Sequence, residues 1–230
     1  MSIKSNYYRP FYLINKTKMI MPDIKFWYGS GSCSLVPHVL LHESGLPFAA
    51  TEISIARLET RSEAFSRINP KQRVPVIAID ESVITEVPAI ATAISHLVPK
   101  LGLMGKTSTE QVRVVEWMCW LSGELHGQGF GGLFRPERFI DDPNQFEAVQ
   151  AKARKRIIDC FKTIESRLSG SFAVGNGLTA VDPYLLVFYR WGSRNGFDMS
   201  EQYPAFTAYI QTIVAYPAVV SAMTEDGSTL

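Results

Sequence analysis

Residues 29–45, GSGSCSLVPHVLLHESG, follow the apolar run IKFWY at residues 24–28 and decide how the fold begins. The apolar run predicts a short strand. The small residues after it predict a loop, and the apolar spacing that follows predicts a helix that stops at Gly45. A second strand-like stretch at residues 48–55 completes a β-α-β unit. Cys33 therefore lies where the first strand has ended and the first helix begins.

The next part of the chain extends this unit by a hairpin and a helix. The charged stretch at residues 57–67 predicts a short helix or an ordered loop. Apolar runs at residues 74–79 and 83–84, separated by the polar residues 80–82, predict a β-hairpin. A helix is expected at residues 88–97, where proline suits the first helical position. The predicted order of elements is βαβαββα.

Beyond residue 102 the pattern is helical and shows no convincing strand. Helices are predicted at 108–126, 143–169, 179–195 and 203–225, with turn signals at 127–132 and 175–177 between them. The predicted fold class is therefore α/β plus all-α. We expect an α/β domain at residues 24–99 and an all-helical domain at residues 107–230.

The composition excludes strongly electrostatic partners. The chain has 230 residues, 46% of them hydrophobic, and a formal net charge of +1. A chain of this length and composition can bury a sizeable core. Because it has neither a basic stripe nor an acidic tail, no binding to nucleic acid or to a membrane surface is expected. A small neutral or zwitterionic partner fits better.

The cysteines and the N-terminus bear on location. Cys33, Cys119 and Cys160 are widely spaced and have no metal-ligand spacing, which favours free thiols in a cytoplasmic, reducing compartment and indicates no metal site. The longest apolar stretch in residues 1–23 is residues 11–14, which is too short for a signal peptide. We predict that residues 1–23 are a disordered extension, with a transit peptide as the alternative.

Cys33 is the first candidate for chemistry. At a helix N-terminus its sulfur would face unpaired N–H groups and the positive end of the helix dipole, which favour a thiolate. The loop could then activate its own thiol or that of a bound molecule. A small buried residue in a tight turn is an equally compatible interpretation. Residues 33–36 lack the second cysteine of a C-x-x-C motif, so a dithiol redox cycle within this loop is disfavoured.

Two stretches near the predicted hairpin could bind a peptide. If the Val74-Pro75 bond is cis, the backbone groups of Val74 face outward and can pair with an extended ligand; an ordinary trans edge proline is the alternative. Glu86 and the amide of Val87 precede a helix, where they could hold an ammonium and a carboxylate or could only cap the helix. A peptide with both charges and a thiol could touch all three features.

Two features lie in the helical half. His126 ends a predicted helix, where a lone histidine is more often structural, although beside a thiolate it could donate a hydrogen bond or a charge. Thr179 and Asp182 have the spacing of a capping box at the start of a buried helix. Their role is expected to be structural.

In this order the features resemble the cytosolic glutathione S-transferases, and most closely the bacterial Beta class. The resemblance covers about residues 24–222. It rests on Gly31–Leu35 with Glu43–Gly45, Asn69–Lys71 with Val74-Pro75, Thr85-Glu86, and Glu124–His126 with Leu133–Pro136. It implies a thioredoxin-like N-terminal domain, an all-helical C-terminal domain, a homodimer, glutathione as cosubstrate and a small hydrophobic electrophile as second substrate.

The resemblance also implies roles for individual residues. Cys33 matches the cysteine near the glutathione sulfur, His126 matches the histidine that approaches it from the helical domain, and Ser34 is placed to orient the thiol. These three form the expected catalytic set. The residues expected to bind glutathione are Val74, Pro75, Glu86, Val87 and Arg57.

Three functions are compatible with these residues. The first is a glutathione transferase that conjugates the glutathione thiolate to hydrophobic electrophiles. In the second, Cys33 is itself the nucleophile of a thiol transferase or reductive lyase. The third is a binding or interaction protein without efficient catalysis. Two departures from the family pattern favour the third: Val87 stands where Ser or Gly is usual, and Gly127 stands where relatives often carry Lys.

Overall fold

The computed structural model describes residues 21–229 of the chain. The predicted extension at residues 1–23 lies outside the described residues, apart from its last three.

The N-terminal part is a four-stranded mixed sheet with three helices. The strands are β1 (Ile24–Tyr28), β2 (Ala49–Glu52), β3 (Val76–Ile79) and β4 (Ser82–Thr85). The helices are α1 (Leu35–Ser44), α2 (Glu63–Ile68) and α3 (Val87–Leu97). The strand order is β2-β1-β3-β4, with β1 parallel to β2 and antiparallel pairing in β1–β3 and β3–β4. The βαβαββα order and the thioredoxin-like sheet confirm the predicted fold class.

The sheet positions the first loop by burying its central strands. All four residues of β3 are buried, whereas all four of β2 at the sheet edge are exposed. The central pair β1–β3 brings Phe26 opposite Ile77. α1 stops at Gly45, as predicted, because that residue adopts a φ of 65°, which glycine tolerates without strain.

The C-terminal part is helical. Its helices are α4 (Ser108–Trp120), α5 (Gly131–Phe134), α6 (Phe146–Arg167), α7 (Val181–Arg194), α8 (Met199–Gln202), α9 (Pro204–Val214) and α10 (Pro217–Glu225). A π-helical segment, Leu121–Phe130, joins α4 to α5. Short 3-10 turns lie at Glu59–Arg61, Pro99–Leu101, Pro136–Arg138 and Pro143–Gln145.

The predicted turn at residues 127–132 is wrong, because the chain stays helical from Ser108 to Phe134. Its glycines serve close packing instead. A Cβ atom on Gly129 would lie 2.9 Å from Ile157, and one on Gly132 would lie 3.1 Å from Ala153. Both contacts are with α6, so the missing side chains let α6 approach this helical stretch.

The predicted helix at residues 203–225 is in fact two helices. α9 ends at Val214, and α10 begins at Pro217, whose ring suits a helix start. In the part of the chain that is described, no single helix has the length and apolar character to cross a membrane; only α9 and α10 taken together meet that test, and they are bent by 84°.

The two halves share one core. α1 packs against α7 and α10 as well as against α3 of its own half. The largest fully buried side chains come from both halves, among them Phe26, Leu40, Tyr184 and Phe206. The loop between β1 and α1 is therefore fixed between the sheet and the helical domain.

Candidate active site

The loop that follows β1 is held by short hydrogen bonds within itself. The Ser34 hydroxyl oxygen accepts from the backbone N–H of Gly29 at 3.2 Å and lies 2.8 Å from the Ser32 hydroxyl. Ser34 is buried, and the hydrogen bonds of its side chain hold the loop. A role for Ser34 in orienting a thiol stays a prediction.

The end of the chain holds the same loop from outside. The backbone N–H of Gly31 donates to the Asp226 carboxylate at 3.1 Å, and the Ser30 hydroxyl donates to the Asp226 carbonyl at 2.6 Å. On the helical side, the indole N–H of Trp191 donates to the Gly31 carbonyl at 2.9 Å. The loop that carries Cys33 is thus anchored by α7 and by the residue that follows α10.

Cys33 is buried in this loop, with 7% of its surface exposed. Burial raises the pKa of its thiol to about 12, and the smaller opposing effects of a backbone N–H and of Arg135 do not compensate. Of the two interpretations, activation of the Cys33 thiol itself is therefore disfavoured by burial, and activation of a bound thiol stays a prediction. Desolvation of the charged sulfur outweighs the favourable dipole.

The peptide bond between Val74 and Pro75 is cis, so the alternative of a trans edge proline is wrong. Antiparallel pairing of β3 begins after it, at Val76. The Val74 side chain lies against the first loop, because a Cβ on Gly29 would come within 3.1 Å of it. Val74 therefore precedes the ladder and borders the loop that carries Cys33.

Glu86 occupies the N-cap position of α3 in an unusual backbone conformation, and its side chain makes no capping hydrogen bond. Its φ is 72°, a region that residues other than glycine rarely occupy. Strained conformations of this kind concentrate at binding sites. The side chain is exposed, and one carboxylate oxygen lies 2.5 Å from the Lys71 ammonium. Val87, the first residue of α3, is buried and presents only its backbone at the helix N-terminus.

His126 projects from the π-helical segment, a form of helix that often marks functional sites. Its Nδ1 atom lies 3.0 Å from the Tyr184 hydroxyl oxygen, and its ring packs against Phe188 and Trp191. Burial, assisted by the positive charge of Arg135, lowers the pKa of His126 to about 4. The imidazole is therefore neutral at neutral pH.

Three arginines share the space around His126, and sequence reasoning assigned them no role. Arg135, Arg73 and Arg138 all lower the pKa of His126, whereas Glu86 raises it. Arg135 and Glu86 also act on the Cys33 thiol, in opposite directions. The surroundings of His126 are therefore basic, with one carboxylate among the cations. Arg135 belongs to a motif that the sequence displays, but its convergence with Arg73 depends on the tertiary fold.

Two residues of α7 were also missed as part of this site. Tyr184 is fully buried, and its burial raises its pKa well above the usual range, so the phenol keeps its proton. Trp191 packs on His126 and holds Gly31 through its indole. In the sequence both residues belong to a predicted apolar helix, and no local signal marks them as residues of a site.

Within the described residues, no hydrogen bond or ion pair joins Arg57 to this group. It is exposed, its guanidinium lies 3.0 Å from the Glu59 carboxylate, and its backbone N–H donates to the Ser54 hydroxyl. The structure brings together the elements that carry Cys33, Val74, Glu86 and His126, and leaves Arg57 on the neighbouring loop.

A cis-proline strand beside a helix N-terminus, closed by a helical domain, defines the two-domain class of thioredoxin-like thiol-binding proteins. Comparison with known proteins agrees. The family model for the glutathione S-transferase N-terminal domain matches residues 31–97, and the model for the C-terminal domain matches residues 128–217. The chain belongs to the glutathione S-transferase family.

Individual relatives cover nearly the whole chain. Glutathione S-transferase GST-4.5 of Xanthomonas campestris is 28% identical over 89% of this chain and 99% of its own. The glutathione S-transferase of a sphingomonad, solved in complex with glutathione, is 31% identical with a TM-score of 0.76, covering 89% of this chain and all of its own. The Beta-class enzyme of Sphingomonas chungbukensis is 29% identical at the same TM-score and coverage. The predicted resemblance to bacterial glutathione transferases is thereby confirmed.

Proposed function

We propose that this protein binds glutathione in the cleft between its two domains and conjugates the glutathione thiolate to small hydrophobic electrophiles. The observation that carries the proposal is the meeting of a carboxylate at a helix N-terminus, Glu86, with the basic group around His126 and Arg135. Glutathione carries one ammonium, two carboxylates and a thiol, so this pattern of charges complements it.

The γ-glutamyl end and the cysteinyl part of the tripeptide each have a matching partner. The Glu86 carboxylate takes the γ-glutamyl ammonium, in place of or beside Lys71, and the N-terminus of α3 at Val87 takes the adjacent carboxylate. The backbone of Val74 pairs with the cysteinyl part as an added strand. This placement directs the glutathione sulfur to the loop that carries Cys33. The relative from a sphingomonad that was solved with glutathione supports the same ligand here.

The sulfur that reacts is that of glutathione. Cys33 has a pKa of about 12, so at neutral pH almost none of it is ionised. A thiol bound outside this buried position keeps contact with solvent and faces Arg135, whose charge favours the thiolate. The burial of Cys33 therefore favours conjugation over the alternative in which Cys33 is the nucleophile.

His126 stabilises the bound thiolate as a neutral hydrogen-bond donor. The Tyr184 hydroxyl stays protonated and donates a hydrogen bond to Nδ1. The single N–H group of the neutral imidazole is therefore at Nε2. Nε2–H donates to the sulfur. The thiol proton leaves to solvent, and the sulfur lone pair forms a C–S bond. A halide then departs with its bonding electrons, whereas the alkoxide from an opened epoxide or the enolate from an enal takes a proton from solvent. Most of the acceleration comes from proximity and from electrostatic stabilisation of the thiolate.

An aromatic wall provides a place for the electrophile. Phe134 is exposed, with 44% of its surface accessible, and its ring packs on Trp191 and Phe130. Trp191 also contacts His126. A flat apolar group that stacks here lies beside the ring that holds the sulfur, which supports a hydrophobic second substrate.

A homodimer and a cytoplasmic location complete the proposal. The first rests on the family resemblance and the second on three cysteines without a partner in the described structure. Light scattering of the purified protein measures the oligomeric state directly.

Calorimetric titration with reduced glutathione tests the binding site. We expect saturable binding by the wild type, and binding on the order of tenfold to a hundredfold weaker by Glu86→Ala. The control Glu81→Ala, which removes an exposed carboxylate from the neighbouring hairpin turn, should bind as the wild type does. Equal affinities of the two variants would overturn the placement. Absence of binding by the folded wild type would favour the non-catalytic alternative.

Turnover separates the remaining functions. The wild type is assayed against aryl halides, epoxides and enals with glutathione, alongside Cys33→Ala. Conjugation that survives in the variant supports the proposal. Disulfide exchange that disappears with Cys33, without any conjugation by the wild type, would establish the thiol transferase instead.

A further inference from the structure

A cluster of two histidines and a glutamate lies away from the cleft, between α1 and the end of α10. His38 and His42 are one helical turn apart on α1, and Glu225 is the last residue of α10. One oxygen of Glu225 lies 2.9 Å from Nε2 of His38 and 3.3 Å from Nε2 of His42. The three ligand atoms all lie within 4.8 Å of one another.

The hydrogen bonding of this cluster is incomplete. Only His38 makes a hydrogen bond to Glu225; the Nε2 atom of His42 is buried and has no hydrogen-bond partner in the described structure. A single carboxylate oxygen therefore faces two ring nitrogens while bonding to one. Buried polar atoms without partners are uncommon and call for a ligand, a water or an ion.

Aromatic packing holds the two imidazoles in place. Their rings stack with centroids 5.2 Å apart, and Phe48 meets both edge-on. Tyr28 packs on the fully buried ring of His38. The core thus holds both Nε2 atoms beside the Glu225 carboxylate before any ligand arrives.

We propose that His38, His42 and Glu225 form a binding site for a divalent transition metal, with zinc the best match. Two imidazole nitrogens and one carboxylate oxygen are ligands that zinc accepts, and histidines four residues apart on a helix suit one ion. Tetrahedral zinc with bonds of about 2.0–2.1 Å holds its ligand atoms about 3.3 Å apart, which small side-chain rotations achieve here. Glu225 is half exposed, so water can fill the fourth position.

The sequence predicted no metal site, because its three cysteines lack metal-ligand spacing. The pair His38 and His42 is visible in the sequence, but its third ligand lies 183 residues further on, where the chain folds back onto α1.

The proposed ion would join the two domains and steady the loop of the candidate active site. Asp226 is the next residue after Glu225. Its carboxylate accepts from the backbone N–H of Gly31, and its backbone carbonyl accepts from the Ser30 hydroxyl. An ion on Glu225 would therefore restrain the residue that holds this loop. Binding of the ion to the folded state alone raises stability by mass action.

The test uses the full chain, stripped of metal with a chelator and titrated with zinc against a chromophoric competitor. We expect one equivalent to bind and to raise the thermal midpoint. His42→Gln and Glu225→Gln are each expected to weaken binding more than about tenfold, since losing a ligand costs at least as much as losing a supporting contact. His96→Gln, which changes a histidine at the end of α3, is the matched control and should bind as the wild type does.

Cobalt distinguishes this site from adventitious thiol binding. Cobalt held by nitrogen and oxygen gives visible d–d bands without the near-ultraviolet charge-transfer band of thiolate ligands. We expect those d–d bands in the wild type and in Cys119→Ala, and their loss in His42→Gln. Any of three results would overturn the proposal. They are a thiolate band that disappears in Cys119→Ala, unchanged zinc affinity in both His42→Gln and Glu225→Gln, and absence of zinc binding by the folded wild type.

Discussion

The Nδ1 atom of His126 lies 3.0 Å from the phenolic oxygen of Tyr184, which joins a histidine of the cleft to a fully buried tyrosine of α7. The contact fixes the orientation of the imidazole and leaves only Nε2 free to meet a ligand. It also places the ring where burial and neighbouring cations oppose its protonation. Folding therefore holds His126 neutral, and this lowers the stability of the folded protein at acidic pH.

We expect His126 to make the protein less stable as the pH falls from about 6.5 to about 4. Its pKa is about 4 in the folded protein and about 6.5 in an unfolded chain. The unfolded state therefore binds the proton first, so the full stability is present above pH 6.5 and is lost as the pH falls through this window. The loss approaches roughly 3 kcal/mol at most. Urea unfolding of the wild type and of His126→Gln between these pH values measures it.

The comparison isolates one histidine. The carboxylates and His38 titrate in both proteins, so their contribution cancels when the free energy of unfolding of the variant is subtracted from that of the wild type. The variant should show a shallower decline than the wild type. Parallel declines in the two proteins would contradict a neutral, buried His126.

Cys33 is expected to resist alkylation at neutral pH. With a pKa of about 12, only about one Cys33 thiol in 10⁵ is ionised at pH 7, and the thiolate is the reactive form. Cys119 is exposed and provides an internal reference. Mass spectrometry after timed treatment with iodoacetamide should find Cys119 modified first, and the rate at Cys33 should still be rising at pH 10. Labelling of Cys33 that is faster than that of Cys119 at pH 7 would revive the interpretation of Cys33 as a nucleophile.

Arg135 is expected to set the pH dependence of conjugation. Its charge favours a thiolate in the cleft, so Arg135→Gln should raise the pKa of bound glutathione. The pH profile of kcat/KM for the electrophile, measured at saturating glutathione, should therefore shift to higher pH by about one pH unit. Rates at high pH should approach those of the wild type. The control Arg113→Gln removes an exposed cation of α4 that pairs with Glu116. A uniform loss of rate at every pH would instead indicate that Arg135 positions the substrate.

The sequence allowed the sheet and most helices to be predicted, because apolar periodicity and turn residues are local signals. The hairpin of β3 and β4 and the stop of α1 at Gly45 are examples. The glycines at residues 127–132 misled because a glycine that breaks a helix and one that lets another helix approach look the same in sequence. Only the position of Ile157 on α6 distinguishes them.

The proximity of the candidate site residues was more predictable than their electrostatics. The resemblance named Cys33, Glu86 and His126, and the fold places Glu86 close enough to act on the pKa values of both Cys33 and His126. Their roles stay predictions. The ionisation of Cys33 was not predictable, since the favourable helix N-terminus is a local feature and burial is not. Arg73 and Arg135 meet only in the folded chain.

Asp182 is expected to be a large single contribution to the stability of the helical domain. Its buried carboxylate accepts from the backbone N–H of Ala173 at 2.9 Å, from the N–H of Thr179 at 2.6 Å and from the hydroxyls of Thr179 and Tyr209. The predicted capping box does not form, because the N-cap of α7 is Ala180 without a side-chain cap and the Thr179 hydroxyl donates to Asp182 instead of accepting from its backbone N–H. Asp182→Ala leaves these donors unpaired and should cost roughly 3–5 kcal/mol in urea unfolding. Asp198→Ala, at the exposed start of α8, should cost about 1 kcal/mol. Similar losses for the two variants would contradict this role.

Gly192 and Gly123 are expected to respond oppositely to alanine, although both lie within helical segments. A Cβ on Gly192 would lie 2.6 Å from the sulfur of Met199 and 2.9 Å from the ring of Phe161. Gly192→Ala should therefore destabilise the protein by about 1–3 kcal/mol, because α7 would be forced away from α6 and α8. A Cβ on Gly123 meets nothing within 4 Å. Gly123→Ala should therefore stabilise by about 0.5–1 kcal/mol, through the lower entropy of the unfolded chain. Guanidinium unfolding of both variants measures the difference in sign, and destabilisation by Gly123→Ala as large as that by Gly192→Ala would show that the packing of α7 is not the cause.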